Sequence, residues 1–126
     1  MPAVARMSGT DTVNTGHSCT GTTTTLAGSS TVFVNGVGAC RKGDVIMVHT
    51  IKVGQYCVPH SAKINVGSNS VFVDGIGIAR NGDSTDMGSL SSGSSSVFAG
   101  SVDTNMATQE GYVMTTEEGF TIIGDL

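Results

Sequence analysis

Residues 28–44 read GSSTVFVNGVGACRKGD, and residues 67–83 read GSNSVFVDGIGIARNGD. The stretches are offset by 39 positions (67 − 28) and identical at 10 of 17 aligned positions, so the chain contains an internal repeat. A truncated third copy, GSSSVFAG, occupies 93–100. Near the start, Val4-Ala5-Arg6 matches the rear half of the unit, Ile78-Ala79-Arg80. Two full copies and two complementary halves make three units. The chain enters in the second half of one unit and closes with the first half of another.

Each unit reads as a β-hairpin. Val32-Phe33-Val34 and Val71-Phe72-Val73 are short strands, followed at once by Asn35-Gly36 and Asp74-Gly75. Such dipeptides are the strongest short hairpin signal, because both turn residues tolerate positive φ. The return strands carry Ala39-Cys40-Arg41 and Ile78-Ala79-Arg80 and end at Gly43-Asp44 and Gly82-Asp83. Three loops remain between the units, 8–27, 45–66 and 84–92. Threefold repetition brings these loops together at one end and sends the hairpin turns toward the other. The Thr22–Thr25 run reads as an extended, β-rich segment.

Composition agrees with a mainly β fold. The chain has 126 residues, 18 Gly, no Trp and only 13% charged residues, yet 38% are hydrophobic. Val and Ile in short runs punctuated by Gly favour strands, and almost no window is free of helix-breaking Gly or β-branched pairs. The length suits one domain with a short tail. A net charge of −4 gives no electrostatic footprint for nucleic acid. The longest apolar run is far below the roughly 20 residues of a membrane span. Met1-Pro2-Ala3-Val4-Ala5-Arg6 lacks an apolar signal core, so the expectation is a cytoplasmic product made without Sec targeting. Three Cys, an odd number, argue against a disulfide framework and leave reduced thiols free to bind metal.

All three His, His17, His49 and His60, fall in the loops. Cys19 lies beside His17, and Cys57 opens Cys57-Val58-Pro59-His60. Cys40 instead occupies the place of Ala79 within a repeat and reads as a small buried residue. Converging loops that carry every His point to a tetrahedral, zinc-type site of His and Cys. Five candidate ligands for four places favour a closed, structural site over a catalytic one, which would keep a position for water. Such a site contributes on the order of 10 kcal/mol to folding. The sequence has no phosphate-binding loop and no nucleophile elbow. Cys57 with His60 as a nucleophile pair has no accompanying oxyanion hole, and the adjacent Glu117 and Glu118 read as a solvated turn. The expectation is therefore a protein that is not an enzyme and has no small-molecule substrate.

The Pro-Ala-Val-Ala-Arg start, the Gly-Ser-x-x-Val-Phe-Val-Asn/Asp-Gly hairpins and the Ala-Arg-x-Gly-Asp segments resemble the PAAR-repeat proteins over residues 1–100. The resemblance implies a small cone of pseudo-threefold β-hairpins with loops converging on a metal-bound tip. Its flat base would cap the blunt end of a trimeric β-helical spike, one copy per trimer, in a contractile phage tail or a type VI secretion system. It would sit at the tail tip, assembled in the host cytoplasm, or leave through a type VI system without a signal peptide. In use it would meet the target cell envelope. The resemblance also implies a zinc ion, with iron as the other candidate, held near the vertex by His17, His49 and His60. The family often places Thr-x-Cys-Gly at the third loop, where this chain has Thr85-Asp86-Met87-Gly88. The fourth ligand is then Cys57, with Cys19 as the alternative and Met87 a weak third. Residues 101–126 depart from the pattern and read as an extension of one or two strands. That extension either packs on the cone, contacts a neighbouring tail protein or, in a type VI adaptor, docks an effector.

Overall fold

The hairpin turns form where the dipeptides place them. Asn35 and Gly36 have φ of 54° and 79°, and Asp74 and Gly75 have 55° and 78°, so both turn residues of each hairpin lie in the left-handed region. In this computed structural model residues 2–100 are described, together with the strands Met106–Thr108, Val113–Thr116 and Thr121–Ile123; the rest of the expected extension lies outside the described residues. No helix occurs among the described residues. In chain order the strands are β1 (Thr12–Asn14), β2 (Thr22–Thr24), β3 (Val32–Val34), β4 (Val37–Gly38), β5 (His49–Val53) and β6 (Tyr56–His60). There follow β7 (Phe72–Val73), β8 (Ile76–Gly77), β9 (Ser84–Thr85), β10 (Gly88–Leu90) and β11 (Val97–Ala99), then β12, β13 and β14 as the three strands beyond Gly100.

β3–β4 and β7–β8 are the two complete hairpins. The third is assembled from both ends of the repeat region. Ala3 pairs with Phe98, Val4 N–H donates to the Val97 carbonyl at 3.0 Å, and Ala99 N–H donates to the Pro2 carbonyl at 3.0 Å. The start of the chain is thus the return strand for β11, as the split repeat requires.

Equivalent residues make equivalent bonds in all three units. Ser29, Ser68 and Ser94 are buried, and each Oγ accepts the N–H groups two and three residues on, which bends the chain into the strand that follows. Arg6, Arg41 and Arg80 each donate backbone N–H and Nε to one carboxylate oxygen of Asp11, Asp44 and Asp83, and Nη2 to the other. These bidentate clamps explain the Arg-x-Gly-Asp motif. Arg6 and Arg41 also donate Nη1 to the turn residues Asn35 and Asp74. The matching position in the third unit is Gly100, and Arg80 Nη1 is buried without a partner among the described residues.

The core is two threefold layers. The lower consists of nine buried residues in three triplets: Val32, Val71 and Val97; Val34, Val73 and Ala99; Val4, Ala39 and Ile78. Above it, Ala5 N–H donates to Ala79 O at 3.0 Å, Ala79 N–H to Cys40 O at 2.9 Å, and Cys40 N–H to Ala5 O at 3.0 Å. This closed ring marks the pseudo-threefold axis, and its three side chains are fully buried. Cys40 is the small core residue expected of it, and burial pushes its thiol up to about 12, so it stays protonated. Around the ring pack Val13, Ile46, Ile64 and Leu90.

The segments expected to be loops are hairpins themselves. Residues 8–27 hold β1–β2, 45–66 hold β5–β6, and 84–92 hold β9–β10. They are tied to each other cyclically, with Val13 opposite Leu90, Ile46 opposite Thr25 and Thr85 opposite Ile64. The Thr22–Thr25 run and the β-branched residues of 49–58 already favour strands. Beyond Gly100, β12 pairs with β11, β13 pairs with β3, and β14 pairs with β13.

Candidate metal centre

Each of the three upper hairpins delivers side chains to one point. His17 lies between β1 and β2, where Thr15 Oγ1 accepts its backbone N–H and bonds the Thr20 carbonyl. His49 opens β5 and His60 closes β6, and the register sets them directly opposite one another. Directly opposed residues on one face of an antiparallel pair have neighbouring Cβ atoms, so a single hairpin supplies two imidazoles side by side. Asp86 occupies the two-residue turn between β9 and β10 at φ 50°, a conformation that Asp tolerates better than most residues. The turn is pressed against β1 because Gly88 follows it. A Cβ at Gly88 would overlap the Asn14 carbonyl oxygen, so only glycine permits this approach.

The three rings form a nearly equilateral triangle, with centroids 5.4, 5.4 and 5.2 Å apart. His17 Nε2 and His49 Nε2 lie 2.6 and 2.8 Å from Asp86 Oδ2, and His60 Nε2 lies 3.2 Å from Oδ1. Among the described residues these four form a group whose ligand atoms all lie within 4.8 Å of one another. A tetrahedral ion with bonds of about 2.0 Å sets its ligand atoms roughly 3.3 Å apart, so the cluster is close to the required size.

The proton inventory at His49 tests whether a cation fits. Its Nδ1 lies 3.0 Å from the Met47 carbonyl, which only accepts, so Nδ1 carries the proton. In the neutral ring Nε2 is then a lone pair, and it points at a carboxylate oxygen 2.8 Å away. Two acceptors at that distance repel unless a positive charge joins them. That charge is either a second proton on the ring or a metal ion. Fixing of Nδ1 by a backbone carbonyl is the outer-sphere arrangement that metal-bound imidazoles use. At Asp86, burial favours the neutral acid, but hydrogen bonds with His49, His17 and His60 and the nearby His17 charge outweigh it and hold the carboxyl below its ordinary value. The donor set therefore suits a divalent ion and can hold one.

The structure brings His17, His49 and His60 together and excludes the expected cysteine ligands. Cys19 and Cys57 form a disulfide, with Cα atoms 5.9 Å apart. This corrects both the ligand assignment for Cys57, with its alternative Cys19, and the expectation of reduced thiols. The reason is local geometry. Cys57-Val58-Pro59-His60 is a strand, not a turn, and residues three apart on a strand face opposite sides. His60 turns toward the cluster, and Cys57 turns away toward Cys19. Met87, the weak third candidate, is 74% exposed. Asp86, its neighbour, carries no local signal of ligation, because an Asp in Thr-Asp-Met-Gly reads first as a turn residue.

Residues 13–91 match the family described as PAAR motif, which is 79 of the 126 residues (91 − 13 + 1). The match spans all four residues of the cluster. Among curated proteins there is no match to the chain.

Proposed function

This chain belongs to the PAAR-motif family, and we propose that it caps the blunt end of a trimeric β-helical spike in a contractile injection machine, one copy per trimer. The observation that carries this reading is the closed ring of Ala5, Ala79 and Cys40. A single chain seated on a threefold axis has to offer three equivalent faces, and this chain is internally threefold about that ring. A spike of three β-strand-rich subunits ends in unpaired backbone edges, which a three-hairpin base can cover. The work is mechanical and not catalytic: four protein ligands would close the coordination sphere of a bound zinc and stiffen the vertex that meets the target envelope.

We place the protein at the tip of a phage tail, with a type VI spike tip that docks an effector through residues 101–126 as the alternative. Support for the first comes from β12 and β13, which pair with β11 and β3 and so build onto the tip's own hairpins. Mixing the purified chain with the spike trimer, followed by mass measurement of the complex, tests the cap. A complex of one chain with three spike subunits is expected, and the absence of any complex refutes the reading.

A further inference from the structure

None of the three cysteine sulfurs belongs to the metal cluster. Among the described residues, the donors that converge on the vertex are the three imidazoles of His17, His49 and His60 and the carboxylate of Asp86. Cys19 and Cys57 are joined to each other, and Cys40 is buried in the core ring, where its Sγ lies 3.4 Å from the Ala27 carbonyl. The burial that pushes the Cys40 thiol up to about 12 keeps it protonated and out of thiol exchange. The cysteines that can change oxidation state are therefore Cys19 and Cys57. Cys57 is exposed and Cys19 half-buried, within reach of small reagents.

Opening that disulfide leaves the imidazoles aligned. The hairpins that carry them, β1–β2 and β5–β6, are joined by other bonds as well. Met47 N–H donates to the Thr24 carbonyl at 2.8 Å, Ala27 N–H to the Val45 carbonyl at 3.1 Å, and Thr50 N–H to Thr20 Oγ1 at 3.3 Å. Asp86 comes from β9–β10, which contains no cysteine and is tied to β1 with Leu90 opposite Val13. Neither the donors nor the elements that carry them depend on the state of the sulfurs.

We infer that the vertex is a thiolate-free metal site of three nitrogens and one oxygen, which keeps its ion in reducing and oxidising surroundings alike and selects borderline divalent ions over soft ones. This rests on the metal centre described above and not on the spike partner. Mild oxidants convert a ligating thiolate to a disulfide and so expel its metal, whereas imidazole and carboxylate do not react with them. Imidazole and carboxylate also suit zinc and iron(II), while thiophilic ions such as cadmium draw their affinity from sulfur. Closing the Cys19–Cys57 bond removes two electrons and two protons, which a small disulfide accepts and carries off as two thiols. No member of the cluster takes part in that exchange. A chain that folds around its ion in a reducing compartment can therefore gain the cross-link in an oxidising one without losing the ion.

The zinc affinity of the full chain in its two sulfur states tests this. The dithiol form is prepared with a water-soluble phosphine and the disulfide form with diamide. After removal of the reagents, each form is titrated with zinc against a chromophoric chelator. The two affinities are expected to agree within about threefold. A disulfide form that binds zinc more weakly by about tenfold or more overturns the inference, because a sulfur is then a ligand. Zinc bound by neither form removes the metal centre itself, and the inference with it. Cadmium competition is the second readout. The unsubstituted chain is expected to keep zinc against an equal concentration of cadmium, and Asp86→Cys to shift the preference toward cadmium by about tenfold. A preference for cadmium in the unsubstituted chain, or an unchanged preference in the variant, overturns the selectivity.

Discussion

His49 Nε2 lies 2.8 Å from Asp86 Oδ2 while its other ring nitrogen is committed to the Met47 carbonyl. The His49 side chain is wholly buried, so its imidazole cannot turn to water to relieve the meeting of two acceptors. The relationship is favourable only with a second proton on the ring or a metal ion in the cluster. Removing the imidazole by His49→Ala is expected to abolish stoichiometric metal binding. Asp86→Asn keeps the shape but loses the charge, and is expected to weaken binding by roughly 10–100-fold, read by competition with a chromophoric chelator. Equal affinity for the Asp86→Asn variant would take Asp86 out of the ligand set.

The Cys19–Cys57 disulfide closes a loop with a sequence separation of 38. In the chain-entropy model a loop of that size is worth about 4 kcal/mol. A metal held by His17 and His60 would close nearly the same loop, so the two cross-links are partly redundant. Reduction is therefore expected to lower the melting temperature more in chelated protein than in metal-loaded protein. Melts of the four combinations check this, and identical shifts would show that the two constraints are independent.

Thr85 stands where the other two upper hairpins place Val13 and Ile46, and its Oγ1 is buried with no partner among the described residues. An unsatisfied buried hydroxyl costs about 1–3 kcal/mol. Thr85→Val is expected to raise stability by an amount in that range, measured by urea unfolding. A destabilised variant would mean that the hydroxyl is satisfied.

Asp74 accepts hydrogen bonds from Thr31 and Ser29, and these, with the Arg41 charge, hold its carboxyl below the ordinary value against the opposing effect of burial. A depressed folded value means the stabilisation is complete above the unfolded pKa, about 3.9 for Asp, and is lost as the pH falls from there through the folded value. Asn35 fills the equivalent place in the first unit. Asp74→Asn is thus expected to fold and to flatten the loss of stability below about pH 4. An unchanged acid limb would assign that loss to other carboxylates.

The base is legible in the repeat itself. Asn35-Gly36 and Asp74-Gly75 fix the turns by φ alone, and the split copy at Val4 and Val97 announces a third hairpin closed by the start of the chain. The residues of the upper hairpins were harder to read. Their strands are short and rich in Thr and Gly, so β1, β9 and β10 carry no strand signal of their own, and only the Thr22–Thr25 run of β2 reads as extended. Cys57 and His60, ligand candidates from one loop, stand three apart on a strand and so face opposite sides, and an odd count of Cys hides a pairing between residues 38 apart. Asp86 is defined by three imidazoles from two other hairpins, a relation that no local motif encodes.

The most direct test is the metal content of the purified chain by elemental analysis, paired with thermal melting before and after chelation. The account predicts one zinc per chain and a melt that falls steeply on chelation, because a closed site on the order of 10 kcal/mol links all three upper hairpins. A chain that binds no metal and melts at the same temperature with or without chelator would contradict it.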